Sequence, residues 1–172
     1  SSENECCHCL DWDSNFFGYR IARVNGSRLD ATSVQEILAW CAAQKVDCLY
    51  FLADADDDAT VRLAERHRFH LVDIRATFER RLDRTRPKRT KNCPAQVRPH
   101  TATDIVALRK IARSSYHHTR FYYDRHFPPH LADVMYETWI EKSCGGHAET
   151  VLVADVDGQP VGYVSCQVPE KS

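Results

Sequence analysis

The sequence predicts an α/β chain in three parts: a small N-terminal α/β domain over residues 1–82, a basic linker over 83–95, and a mixed sheet flanked by helices over 96–172. Three observations lead there. Segments of helical period alternate with short apolar runs, the pattern of α/β architecture. Asp83 to Ala95 interrupts that alternation with Pro87, Pro94 and a run of basic residues. Near the C-terminus Asp157-Gly158 separates two apolar runs, and both positions of such a turn need positive φ, which marks a hairpin.

Taken in order, Tyr19 to Val24 is the first expected strand, led in by Leu10-Asp11-Trp12-Asp13-Ser14-Asn15-Phe16-Phe17-Gly18. A helix is expected from about Ser33 to Lys45, with a Ser33/Glu36 capping box and Val34, Ile37, Leu38 and Cys41 on one face. Cys48 to Leu52 is a continuous apolar run, the signature of a strand buried on both faces. Thr60 is placed to cap a second helix carrying Val61, Leu63 and Ala64 and ending near Phe69. Val72, Ile74, Ala76 and Phe78 alternate with Asp73, Arg75, Thr77 and Glu79, which predicts a half-exposed strand.

Beyond the basic stretch, Gln96-Val97-Arg98 reads as a brief strand and Thr103 as the cap of a helix bearing Ile105, Leu108, Ile111 and Ala112. A polar and aromatic loop follows from Ser114 to Phe127. Pro128-Pro129 opens a further helix, since proline suits the first helical turn. Leu131, Val134, Met135 and Trp139 line its expected inner face, and Gly145-Gly146 stop it. The hairpin runs from Thr150 to Val156 and from Val161 to Val168.

A net charge of −1 leaves no whole-chain field to attract nucleic acid or a membrane surface. The apolar stretches run under ten residues, too short for a bilayer. Eight cysteines in 172 residues fall short of a disulfide scaffold. Cys41, Cys48 and Cys166 sit at apolar positions and read as small hydrophobes, which points to a reducing, cytoplasmic setting.

From Val97 the order strand, helix, helix, strand, strand resembles the opening half of the GNAT acetyltransferase fold. Two strings narrow the resemblance. Leu10 to Gly18, continuing to Ile21-Ala22-Arg23-Val24, is similar to the N-terminal signature of the TDP-4-amino-sugar (TDP-fucosamine) N-acetyltransferases of bacterial polysaccharide synthesis. Thr119-Arg120-Phe121-Tyr122-Tyr123-Asp124-Arg125-His126-Phe127-Pro128, followed by Tyr136 and Trp139, is similar to the loop between the first two helices in that group. Thr119 stands where the group usually has serine and keeps the hydroxyl.

The resemblance implies a transferase that moves acetyl from acetyl-CoA to the amine of a nucleotide-linked amino sugar or a similar small molecule. It implies no nucleic-acid or membrane partner, and a homodimer is compatible with it. The amine would attack the thioester, with donors stabilising the tetrahedral oxyanion as CoA thiolate leaves. On this reading the loop lines the acceptor pocket. Arg120 offers a planar fork to a phosphate, Tyr122 a face for a base or sugar, and Asp124 completes the set. The same residues read more readily as a brace, a buried Arg120–Asp124 pair that holds the loop.

The group's CoA loop, Arg/Gln-x-x-Gly-x-Gly/Ala at a helix N-terminus, has its nearest approach in Gln159 to Val164. Val164 breaks the pattern, and the run falls in an expected strand. The CoA-binding loop and the catalytic tyrosine are therefore expected beyond Ser172, which makes the chain a front part that binds no acetyl-CoA by itself. The alternative is a non-catalytic GNAT-like module that binds a ligand or partner.

Other chemistry is weaker. Cys6-Cys7-His8-Cys9 supplies one pair of thiols where a structural zinc site needs two, and it reads as an oxidation-prone terminus. His126 and His130 have i, i+4 spacing, but Pro128 and Pro129 forbid a continuous helix between them, and no metal is expected. Arg80, Arg81, Arg84, Arg86, Lys88, Arg89 and Lys91 read as a solvated linker, and Asp54 to Asp58 as an acidic helix start.

Overall fold

The computed structural model describes residues 5–79 and 93–167. Most of the expected basic linker, and the end of the expected hairpin at Val168, lie outside them. The protein is α/β, with helices beside one mixed and one antiparallel three-stranded sheet, and it divides into two compact units, Ser1–Leu71 and Val72–Ser172. Among the described residues no helix is long and apolar enough to cross a membrane.

The first unit carries β1 (Cys7–Cys9), α1 (Asp11–Phe17), β2 (Ile21–Val24), α2 (Ala31–Gln44), β3 (Cys48–Tyr50) and α3 (Asp58–Arg66). Its sheet has the order β1-β2-β3, with β1 antiparallel and β3 parallel to β2. Two elements here correct the sequence reading. The cysteine-rich start is a strand, with Cys7 fully buried, rather than an incidental terminus. The lead-in Leu10–Gly18 is mostly a helix. Trp12 and Phe16 stack at 5.0 Å one turn apart, and Gly18 stops α1 at φ 76°. Such a left-handed stop costs glycine least.

The caps also differ. Asp30 caps α2, accepting from the Thr32 and Ser33 amides, while Ser33 Oγ accepts from the Asp30 amide. Ser33 thus sits at the third helical position, not the cap, because an aspartate three residues earlier takes that role. Asp57 caps α3 in place of Thr60. Thr60 is buried instead, its Oγ1 accepting from the Leu29 amide at 2.8 Å. β3 is only half-buried and Leu52 is 41% exposed, so this strand is not covered on both faces. Cys7, Val24, Leu29, Val34, Ile37 and Ala64 form the core.

The second unit carries β4 (Gln96–Pro99), α4 (Ile105–Ser115), α5 (Arg120–Tyr123), α6 (Pro129–Lys142), β5 (Thr150–Val156) and β6 (Gln159–Cys166). Its sheet is antiparallel in the order β4-β5-β6. Asp157 and Gly158 turn the hairpin at φ 51° and 80°, as the dipeptide requires. Val151, Val153 and Asp155 are buried on one face, while Leu152 and Ala154 are only half-buried on the other. Helix α4 packs on α6 and against β6.

Val72–Phe78 forms no strand. Ile74 is 79% and Phe78 93% exposed, so the alternation there has no sheet to bury its apolar side. Thr101, not Thr103, starts the turn into α4, its hydroxyl donating to Asp104. On α6 the buried face is Ala132, Met135, Tyr136 and Ile140, whereas Val134 and Trp139 are exposed. The helix then runs into a wide turn, Ser143–His147, which Gly146 closes at φ 104°.

Arg98 ties the unit together. Its guanidinium grips both Asp104 oxygens at 2.6 and 2.9 Å and donates twice to Asp155 at 3.0 and 2.7 Å. Asp155 in turn accepts the Gly158 amide at 2.7 Å, so one cation links β4, the entry to α4 and the hairpin turn. Arg98 and the Thr101 amide and hydroxyl hold the Asp104 carboxyl far below its ordinary range.

Candidate functional site

Residues 116–140 bring aromatic and charged side chains together in the second unit. After α4 ends, the carbonyl of Thr119 accepts the amides of Tyr122 and Tyr123 at 3.0 and 3.1 Å, which starts the single turn α5. Asp124 then makes the bend into α6. Its carboxylate accepts the His126 amide at 3.0 Å and meets the His126 ring nitrogen at 2.7 Å, and its carbonyl accepts the Phe127 amide. An aspartate bonded to the backbone two residues on is the usual device for such a turn. Phe121 and Phe127 close edge-to-face at 5.5 Å and are almost fully buried, which anchors both ends of the loop.

Above that anchor three tyrosines share one direction. Tyr136 on α6 stacks on Tyr116 at 4.6 Å and lies nearly parallel to Tyr122 at 6.1 Å. The hydroxyls of Tyr136 and Thr119 are 2.6 Å apart. Tyr122 donates its hydroxyl to Asp133 at 2.7 Å, and Asp133 pairs with Arg113 at 3.2 Å. Arg113 and Arg109 of α4 both reach Glu137 of α6, and Arg109 also reaches Glu141, so an ion-pair ladder joins the two helices below the aromatic surface. Burial first, and then the bond to Asp133, push the Tyr122 phenol above its ordinary range. Burial raises Tyr136 and Tyr163 as well. These phenols stay protonated at neutral pH. In that form each phenol has a proton to donate in a hydrogen bond.

The three residues singled out from the sequence fall within this region in different settings. Tyr122 is half-buried inside the aromatic stack. Arg120 is half-buried at the start of α5, with its guanidinium 4.3 Å from the Phe121 ring centroid. Asp124 shapes its own turn through His126. Sequence reasoning did not find Asp133 as the partner of Tyr122, Arg113 as the partner of Asp133, or Tyr116 as the ring stacked on Tyr136. The available signal was the i, i+4 spacing of Arg109 and Arg113 against that of Asp133 and Glu137, two facing rows of opposite charge.

Among the described residues no group of three or more His, Cys, Asp or Glu side chains comes together in a way that could hold a metal ion. Gln159 to Val164 lies within β6 and pairs with β5, so it is not the mouth of a helix. No family model matches this chain, and a search of curated proteins found no match.

Proposed function

We propose that the second unit is the acceptor-side half of a GNAT N-acetyltransferase, which uses acetyl-CoA to acetylate the amine of a nucleotide-linked amino sugar or a similar small amine. The observation that carries this reading is the folded loop Thr119–Pro128. It presents a tyrosine stack, a paired hydroxyl and a nearby guanidinium on one surface, while Phe121 and Phe127 fix it from beneath. Such a surface suits a ligand with a flat base or sugar face and an anionic group. In this role Tyr122 stacks on the ligand, the buried Tyr136 backs Tyr122 from within the cluster, Arg120 pairs with phosphate, and Asp124 sets the loop that aims them. The packing of α4 on α6 and against β6 is in keeping with the resemblance.

The donor side is different. Among the described residues no helix N-terminus carries a glycine-rich approach for a pyrophosphate. A second reading is a GNAT-like module that binds a small ligand or partner without catalysis. Thiol release from acetyl-CoA by the full gene product, over a panel of nucleotide-linked amino sugars, separates the two. Acceptor-dependent release supports the enzyme. Acceptor binding with no affinity for CoA supports the binding module, and neither binding nor release rejects both.

A further inference from the structure

Helices α5 and α6 each send a tyrosine to the other. Tyr122 of α5 donates to Asp133 Oδ1 of α6 at 2.7 Å, and Tyr136 of α6 meets the hydroxyl of Thr119, just before α5, at 2.6 Å. The two rings lie within 5° of parallel, and His117 meets the Tyr122 ring edge-on at 5.1 Å.

Asp133 stands apart from the other carboxylates of its helix. Glu137 and Glu141 pair with the arginines of α4, whereas Asp133 divides its oxygens. Its Oδ2 pairs with Arg113 at 3.2 Å, and its Oδ1 takes the phenol. Arg109 and Arg113 both reach Glu137, so α4 is tied to α6 without Asp133. What Asp133 adds is a charged acceptor for one hydroxyl.

Tyr122 needs that hold. It belongs to a single helical turn, Arg120–Tyr123, and its neighbour Tyr123 is 68% exposed. A ring on so short an element keeps its rotamer freedom unless another group fixes its far end. A phenol bonded to a carboxylate is charge-assisted and about twice as strong as a neutral pair. Arg113 on the second oxygen compensates the charge of a carboxylate only 19% exposed.

We propose that Asp133, oriented by Arg113, is a positioning residue that locks the Tyr122 ring through its hydroxyl before a ligand arrives. The ring is then ordered in the free protein, which lowers the entropy lost on binding. That consequence rests on the reading of the loop as an acceptor site; the lock itself does not.

The full chain with labelled aromatic rings tests the lock by NMR without ligand, the Tyr122 signals being assigned from Tyr122→Phe. Asp133→Ala is expected to shift those signals and weaken their cross-peaks to Tyr136 and His117, while the Phe121–Phe127 cross-peaks stay. Asp133→Asn keeps an acceptor oxygen and restores most of the contacts. Unchanged Tyr122 signals in Asp133→Ala, or a loss that spreads to Phe121–Phe127, overturns the proposal. Should Asp133→Ala fail to fold, Tyr122→Phe decides: a ring at position 122 still in contact with Tyr136 and His117 overturns it.

Calorimetry with a nucleotide-linked 4-amino sugar then reads the consequence. Asp133→Ala and Tyr122→Phe should each weaken binding about tenfold, and the double variant no further, as for one shared interaction. Losses that multiply overturn the positioning role. No heat from the wild-type chain rejects the acceptor reading, and the ligand-free spectra still decide the lock.

Discussion

Thr150–Val156, a mostly apolar run, and Val72–Phe78, a strict alternation of apolar and polar residues, both read as strands in the sequence, yet they end in opposite states. The first is the central strand of an antiparallel sheet, with Val151 and Val153 fully buried. The second takes no strand conformation, and Ile74 and Phe78 stand in solvent. The difference lies in what each segment finds nearby. Asp157 and Gly158 return the chain onto β5 within two residues, and Arg98 pins β4 to its other side through Asp155. Val72–Phe78 has no Asp-Gly pair beside it in the sequence, which continues into the basic stretch with Pro87 and Pro94. Alternation specifies a face; a partner makes the strand.

Breaking this contrast begins in the buried hairpin. Val153→Ala removes buried methyl groups from a fully enclosed position and should cost about 2 kcal/mol in a denaturant titration. A loss near zero would mean the β5 face is not packed as described. Gly158→Val puts a branched side chain at φ 80° and should cost about 1–2 kcal/mol, the usual penalty for a left-handed non-glycine residue.

Acid sharpens the contrast further. Because folding depresses the Asp104 carboxyl, its contribution is complete above an unfolded value of about 4 and is lost as pH falls below that. Circular dichroism melts should therefore drop in this window, and Asp104→Asn should flatten that dependence. At the far end, Ile74→Ala should change stability by less than about 0.5 kcal/mol, as for other exposed positions. A loss above about 1.5 kcal/mol would show that this face is covered in solution.

The same contrast explains which parts of the fold were legible. Pro128-Pro129 announced α6, and Asp157-Gly158 announced the hairpin, because both signals act within a few residues. Helix α1 was not legible. It lacks a helical hydrophobic period and is held by Ser14, whose Oγ donates to the Leu10 carbonyl and accepts the Ile21 amide. β1 is three residues long, too short to show a pattern. In the candidate site, Arg120, Tyr122 and Asp124 stood out as a local string. The Tyr122–Asp133 bond and the Arg113–Asp133 pair could not, since they join segments that only the packing of α4 on α6 brings together.

The central claim is that the folded loop on α6 receives an anionic, amine-bearing small molecule. Calorimetric titration of a nucleotide-linked 4-amino sugar into the wild-type chain, Arg120→Ala and Ile74→Ala tests it directly. The account predicts saturable binding that weakens about tenfold or more in Arg120→Ala, the scale of one lost charge-assisted hydrogen bond, and is unchanged in Ile74→Ala. Equal heats from all three proteins, or no heat from any, would contradict it.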